Sequence, residues 1–438
     1  MKEKFHFIGI KGSGMSSLAQ ILFDNGFEVQ GSDIEAELFT QKGLDERGIK
    51  MFPFSKENIS GEHIYILGNA FNESNEEVKE VLSKSYKSYK YHEFLGNWMK
   101  RFTSIGISGT HGKTSTTSLL SHVLTNLFPT SALIGDGTGY GMMDSKYFSF
   151  EACEYKRHFL WYSPDYAIIT NIDFDHPDYF EDLNDVLNAF NNFASQSGKK
   201  VVVCGDDAHT PKLKNYKLAV TYGLKEGNVV QATNIEVNPQ TTSFEVIFKG
   251  ENQGKVKIPL HGNHAIQNTL AVLTVCLLEG MSIYDVAPHL MTFKGAKRRF
   301  NTEDWNDAVI VDDYAHHPKE IEVTIEAARQ KYPNREIVAV FQPHTFTRTA
   351  KFLDEFKDSL SKADKVYGCP IFGSARELDA TLTIEDLLTL IPNSDTLTIE
   401  NIDKLASHSD SVLLFMGAGD IGKYIEAYKQ DTAMQQHA

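Results

Sequence analysis

The stretch "GISGTHGKTSTTSLLSHVL", residues 106–124, decides the architecture. An apolar strand, Thr103 to Ile107, runs into a glycine-containing loop, then Lys113, Thr114 and an apolar-periodic helix. Helix-start N–H groups, a lysine and a metal-binding hydroxyl converge there on one anion, which is the layout for a triphosphate. The loop is shorter than the common phosphate-binding loop. That loop needs a glycine at 107, where Ile107 stands, and the nearest glycines are Gly106 and Gly109. It also begins only after about a hundred residues, so another unit precedes it.

Working outward, the whole chain reads as three α/β sections. From residue 4 to about 100, "FHFIGI", "FEVQGSD" and "HIYILGNA" alternate with the helical patterns "SSLAQILFDNG" and "NEEVKEVLSK". Such alternation argues for a parallel sheet. The second section continues through "YAIITNIDFDH" and "KKVVVCGDD". It then changes to antiparallel strands in "NVVQATNIEVNPQTTSFEVIFKG" and "GKVKIPL" before the helix "HAIQNTLAVLTVCLLEG". A third section starts near Arg298 with the strands "DAVIVDDY", "REIVAVFQPH", "DKVYGCPIFG" and "SVLLFMGAG". The expected domains are 1–100, 101–297 and 298–438.

Composition agrees with several soluble domains. The 438 residues exceed one ordinary core, and 41% hydrophobic with 23% charged residues is a globular balance. No signal-peptide layout opens the chain, and no apolar run approaches the roughly 18 residues of a membrane span. Cys153, Cys204, Cys276 and Cys369 are scattered without zinc-like spacing and read as free thiols in a reducing cytoplasm. A net charge of −15 argues against broad nucleic-acid binding, so an anionic substrate needs a local cationic site.

The first section carries its own glycine loop, "FIGIKGSGMSSLA". From Gly12 it reads G-S-G-M-S-S, and Asp33 follows at the end of the next strand, where an acid meets a ribose hydroxyl. NAD, FAD and a UDP-sugar all satisfy that physics, as does a ligand-free tight turn. Two diphosphate loops in one chain suit a nucleotide-linked substrate beside a driving triphosphate. Further polar clusters sit at strand ends. "FEACEYKRHF" offers Glu151 and Glu154, and "TNIDFDHPDYF" offers Asp173, Asp175, His176 and Asp178. Strand C-terminal ends line the ligand crevice of open parallel sheets. Carboxylate, imidazole and the Thr114 hydroxyl suit Mg²⁺ beside phosphates. Positive charge comes from "KGAKRRF" (Lys297, Arg298, Arg299) and from Arg348 in "FQPHTFTRT". "VIVDDYAHHPKE" adds Asp312, Asp313, His316 and His317.

In the order "GIKGSGM", "SGTHGKTSTT", "EACEYKRHF", "TNIDFDHPDYF", "GAKRRF", "DDYAHHP", "FQPHTFTRT" and "GAGDI", the chain resembles the Mur ligases along its whole length. The resemblance is strongest to the branch that joins L-alanine to UDP-N-acetylmuramate. It implies a Rossmann-like N-terminal domain for the UDP-sugar, a central P-loop ATPase-like α/β domain with an antiparallel addition, and a Rossmann-like C-terminal domain for the amino acid.

The implied reaction is ATP-dependent: an acyl phosphate forms on the lactyl carboxylate and is attacked by the amine. The resemblance places Gly109, Thr110, His111, Gly112, Lys113 and Thr114 around the ATP phosphates. Thr114, Glu151 and His176 match metal ligands for Mg²⁺. His264, Asn268, Arg299, Asp312 and Asp313 are further ATP contacts. Gly12, Ser13, Gly14, Met15 and Asp33 face the UDP-sugar, and Lys113, His316 and Arg348 act at the reacting groups. Two positions depart from the family: Ala265 replaces an asparagine and Cys153 an aspartate. The expected protein is cytoplasmic, a monomer or weak homodimer, binding neither nucleic acid nor membrane. The rival within the family joins an intact tripeptide to the same UDP-sugar. A nicotinamide-dependent oxidoreductase leaves "GTHGKT" and the Glu151/His176 pair without a purpose, and a non-catalytic UDP-sugar sensor, the third reading, would bind without releasing ADP. The segment Phe293–Phe300, with Gly295, is the expected hinge for closure of the third domain on bound ligands.

Overall fold

The computed structural model describes residues 3–373 and 382–436, arranged around three sheets. The first sheet has five parallel strands in the spatial order Lys50–Phe52, Glu28–Ser32, Lys4–Ile8, Ile64–Leu67 and Ser88–Lys90. Phe5, His6, Phe7 and Ile8 are buried on successive positions, as a strand covered on both faces requires. The chain order reverses around Lys4–Ile8, so the glycine loop that follows it lies at the switch point where such sheets bind ligands.

The central sheet has ten strands. Its inner run is Val220–Gly223, Lys200–Cys204, Tyr166–Ile169, Thr103–Ser108 and Tyr147–Glu151, all parallel. Val230–Val237, Thr242–Phe248 and Glu251–Ile258 complete one edge, with the last three paired antiparallel. The alternating polar face of "NVVQATNIEV" signals that addition, because an antiparallel edge is wetted on one side. Helix Lys113–Leu127 and helix Asn263–Leu278 cover the sheet, and eight successive residues of the latter, Thr269–Cys276, are buried.

The third sheet has six strands. Asn301–Trp305 runs antiparallel at its edge, beside parallel Ala308–Asp313, Ser411–Met416, Glu336–Phe341, Lys365–Gly368 and Ser394–Thr396. The architecture is therefore the expected one of Rossmann-like units flanking a P-loop-like domain. Several short edge strands, such as Lys50–Phe52 and Ser394–Thr396, carry partly exposed mixed residues and no readable alternation.

The hydrophobic cores are distributed unevenly. One cluster runs continuously from Phe5, Leu18 and Trp98 of the first section to Phe148, Phe150, Phe159 and Phe190 of the second. Helix Ser13–Asp24 reinforces this join, since Ser17 Oγ donates to Ile134 O and Gln20 Nε2 to Gly137 O. A Cβ on Gly139 would stand 2.0 Å from Ser17 O, so only glycine permits that approach. The third section keeps cores of its own on the two faces of its sheet.

Candidate functional site

Strand Thr103–Ser108 delivers the loop Gly109–Gly112 to the start of helix Lys113–Leu127. Gly109 has φ +133°, and a Cβ there would meet Thr170 Oγ1 at 2.0 Å; Gly112 has φ +81°. Lys113 folds back over the loop. Its Nζ donates to Gly109 O and, at 3.0 Å, to Thr110 O, and lies 3.0 Å from the Glu154 carboxylate. Burial opposes the Lys113 charge, but the Glu154, Cys153 and Glu151 side chains outweigh it and keep the ammonium protonated above its ordinary range.

The neighbouring strand ends bring in the other groups. Glu151 closes strand Tyr147–Glu151, accepts a 2.7 Å hydrogen bond from Thr114 Oγ1 and a 3.1 Å one from Gly135 N. Burial raises its carboxyl above the usual carboxylate range, a cost that a cation relieves. His176 adopts φ +56° and lies 3.9 Å from Glu154, not against Glu151. Thr114 and Glu151 are thus joined directly, while His176 lies beside Glu154, which pairs with Lys113. The resemblance names Glu151 and not Glu154 among the metal ligands, yet Glu154 contacts both Lys113 and His176. The Thr114 hydroxyl and the Glu151 and Glu154 carboxylates are oxygen donors that fit Mg²⁺, and the His176 imidazole lies beside Glu154.

Across from the loop, strand Ala308–Asp313 leads into helix Pro318–Lys331. His317 caps this helix and Glu320 completes the capping box by accepting from the backbone N–H groups of His316 and His317. The same carboxylate lies 3.5 Å from His111 Nδ1, 3.5 Å from Arg299 Nη1 and 3.3 Å from His316 Nδ1. Burial alone would raise Glu320; the surrounding His316, His111 and Arg299 hold it well below the carboxylate range. "HHPKE" announces a helix start, but nothing local says that its glutamate will gather an arginine and two imidazoles from two domains. His316 Nδ1 donates to Tyr314 O at 3.0 Å, which leaves Nε2 as an acceptor, and burial pushes the ring down to about 3.

Arg348, on helix Phe346–Lys351, pairs with Asp175 at 3.2 Å; both are buried. Asp175 is held far below the carboxylate range by Arg348 and the nearby His176 and His317, against the opposing effect of burial.

A cavity of about 770 Å³ opens between the central and third sections, in the size range of nucleotide sites. Its walls include His111, Gly112, His264, Asn268, Arg299 and Asp313. Asp312 is absent from that wall and instead pairs with Arg298 at 3.4 Å, as strand alternation dictates for neighbours. Asp313 accepts from Phe300 N and Ala315 N, and burial pushes its carboxyl up to about 6. Ala265, one of the departures, is buried beside this cavity. The basic run is no solvated linker: Arg298 donates to Gly417 O at 2.7 Å and Arg299 meets Glu320.

The first glycine loop lies apart from that cavity. Gly14 packs so closely on Tyr91 that a Cβ would stand 2.5 Å from its hydroxyl, and Tyr91 in turn feels the Glu151 charge. Gly12, Ser13 and Met15 sit at the same helix start. Asp33 is engaged with the loop itself, accepting from Lys11 N at 2.6 Å and Ile34 N at 2.8 Å.

Three family models match this chain in succession. They are the Mur ligase family catalytic domain over residues 4–103, the Mur ligase middle domain over 107–276 and the Mur ligase glutamate ligase domain over 298–419. The chain belongs to the Mur ligase family. As a Mur ligase it is an ATP-dependent ligase of peptidoglycan precursors. Among solved structures it is similar to the UDP-N-acetylmuramate-alanine ligase MurC from Thermotoga maritima, with 27% identity, 99% of each chain covered and a TM-score of 0.82. It is also similar to the UDP-N-acetylmuramate:L-alanyl-gamma-D-glutamyl-meso-diaminopimelate ligase from Neisseria meningitides, at 26% identity over 68% of this chain and all of that one, TM-score 0.60. The MurF ligase from Thermotoga maritima in complex with ADP shares the fold at 18% identity, covering 88% of this chain and 98% of that one, TM-score 0.67. No helix among the described residues is long and apolar enough to cross a membrane.

Proposed function

We propose that this Mur ligase joins L-alanine to the lactyl carboxylate of UDP-N-acetylmuramate, with ATP converted to ADP and phosphate. The observation that carries the reading is the similarity to the Thermotoga maritima MurC over 99% of both chains. The Neisseria ligase, with a TM-score of 0.60 against 0.82, keeps the tripeptide as the second reading.

In this reading the UDP-sugar lies at the loop Gly12–Met15 and ATP in the cavity lined by His264, Asn268, Arg299 and Asp313. A lactyl carboxylate oxygen attacks the γ-phosphorus, the bond to the β-phosphate oxygen breaks, and ADP leaves. The neutral amine nitrogen then attacks the acyl carbon, the C–O bond to phosphate breaks, and the amine proton passes to the departing phosphate. Both steps bring anions together, so positioning and charge neutralisation dominate. Lys113 exchanges the loop carbonyls and Glu154 for phosphate oxygens. Arg299 adds positive charge from the third domain, and Arg348 holds that domain to Asp175 beside the reacting groups. Mg²⁺, held by Thr114 and Glu151 with His176 and Glu154 nearby, supplies charge neutralisation for the phosphates when bound. His316 is neutral at pH 7, and a ring held at about 3 is too weak a base to keep a proton. Its Nε2 therefore orients the amine as a hydrogen-bond acceptor.

The deciding experiment is ADP release with UDP-N-acetylmuramate, comparing L-alanine, L-serine, glycine and the tripeptide. L-alanine should give the largest kcat/KM. A preference for the tripeptide would overturn the reading in favour of the second.

A further inference from the structure

His111 lies in the phosphate loop, Asp173 follows strand Tyr166–Ile169, and His317 caps the first helix of the third domain. One ligand atom from each falls within 4.8 Å of the others, and the two imidazole centroids are 4.6 Å apart. The Nδ1 edges of both rings are engaged, His111 with Glu320 at 3.5 Å and His317 with Lys319 N at 3.3 Å. Both Nε2 atoms are buried without a hydrogen-bond partner, and His317 is only 5% exposed. A buried polar atom without a partner is costly, and two in one cluster beside a carboxylate call for a shared occupant.

We propose that His111, Asp173 and His317 form a binding site for a zinc-class divalent ion, separate from the Mg²⁺ residues, that latches the third domain onto the phosphate loop.

The donor chemistry selects the class. Two imidazoles and one carboxylate suit zinc, cobalt or nickel, whereas Mg²⁺ prefers oxygen ligands. The His111 ring is oriented as a metal ligand should be, its Nδ1 facing the Glu320 carboxylate. Asp173 accepts from Phe174 N through Oδ1, which leaves Oδ2 for an ion. Metal at His317 Nε2 leaves the ring proton on Nδ1 and gives up the long bond from Lys319 N. The helix start keeps its Glu320 bond to His317 N. Bonds of about 2.0–2.1 Å place tetrahedral ligands ~3.4 Å apart, and the three ligand atoms already lie within 4.8 Å of one another, so an ion holds the two domains together here. Three protein ligands leave a fourth position facing the nucleotide cavity, whose wall includes His111 and Asp173.

The test uses the full-length protein, stripped with chelator and then held in excess Mg²⁺. Co²⁺ is titrated and its visible d–d bands are read, followed by displacement with Zn²⁺. The wild type should take one equivalent, and Zn²⁺ should raise its Tm. His317→Asn keeps a helix-capping side chain, and Asp173→Asn keeps the Oδ1 acceptor; each should weaken Co²⁺ binding by at least about tenfold. Absence of bands in the wild type overturns the proposal. So does unchanged affinity in both variants, or binding that is lost with His176→Ala alone, which would put the ion among the Mg²⁺ residues. Should His317→Asn fail to fold, Asp173→Asn asks the same question.

Discussion

Arg348 Nη2 and Asp175 Oδ1 stand 3.2 Å apart, buried, although 173 residues of chain separate them. One comes from the third domain and the other from the loop beyond a central strand. Removing one partner of such a pair strands the other charge, at a cost of roughly 3–5 kcal/mol. Asp175→Ala should therefore loosen the docked third domain. Small-angle scattering should give a larger radius of gyration for the variant, with partial restoration by ATP analogue and UDP-N-acetylmuramate together. Identical curves for variant and wild type would remove this pair as the clasp.

Lys113→Ala should lower kcat by ~10²-fold or more while UDP-N-acetylmuramate still binds, because the proposed function puts the sugar nucleotide at the first glycine loop, apart from Lys113. Because the change also strands Glu154, the double variant Lys113→Ala/Glu154→Gln serves as its folding control. Near-normal ADP release from either folded variant would exclude Lys113 from phosphoryl transfer.

Glu151→Gln keeps the Thr114 contact in shape and removes the charge. Activity should fall sharply and recover only in part at high Mg²⁺, and Glu154→Gln should show a similar dependence. An unaltered Mg²⁺ titration in both would place the cation elsewhere.

Burial lowers His264 to about 4 from its ordinary 6.5. The folded state favours the neutral ring, so its contribution is whole above pH 6.5 and drains away as pH falls toward 4. His264→Gln should lose about 2 kcal/mol less stability than wild type between pH 7 and 4.5. Denaturant melts at the two pH values measure this, and equal losses would contradict it.

The long strands and the loop at Gly109–Thr114 were legible because their signals are local: apolar runs, glycines at fixed offsets, a lysine at a helix start. Glu154 and Glu320 were not. Each reads locally as a strand-end acid or a capping residue, and each becomes a meeting point only when distant elements converge. Asp312 and Asp313 look equivalent in sequence, but the pleat sends one to Arg298 and the other to the cavity. Arg348 reads as a substrate contact, and the fold gives it Asp175.

The apolar cluster shared by the first two sheets, with Gly139 seated on Ser17, makes them one platform. The span from the Gly12–Gly14 turn to Lys113 is then a gauge built before either nucleotide arrives. A sugar nucleotide whose carboxylate lies one bond nearer or farther from its pyrophosphate would present it off the line of attack. In the proposed function the platform measures donor length, and the choice of amine is left to the third domain.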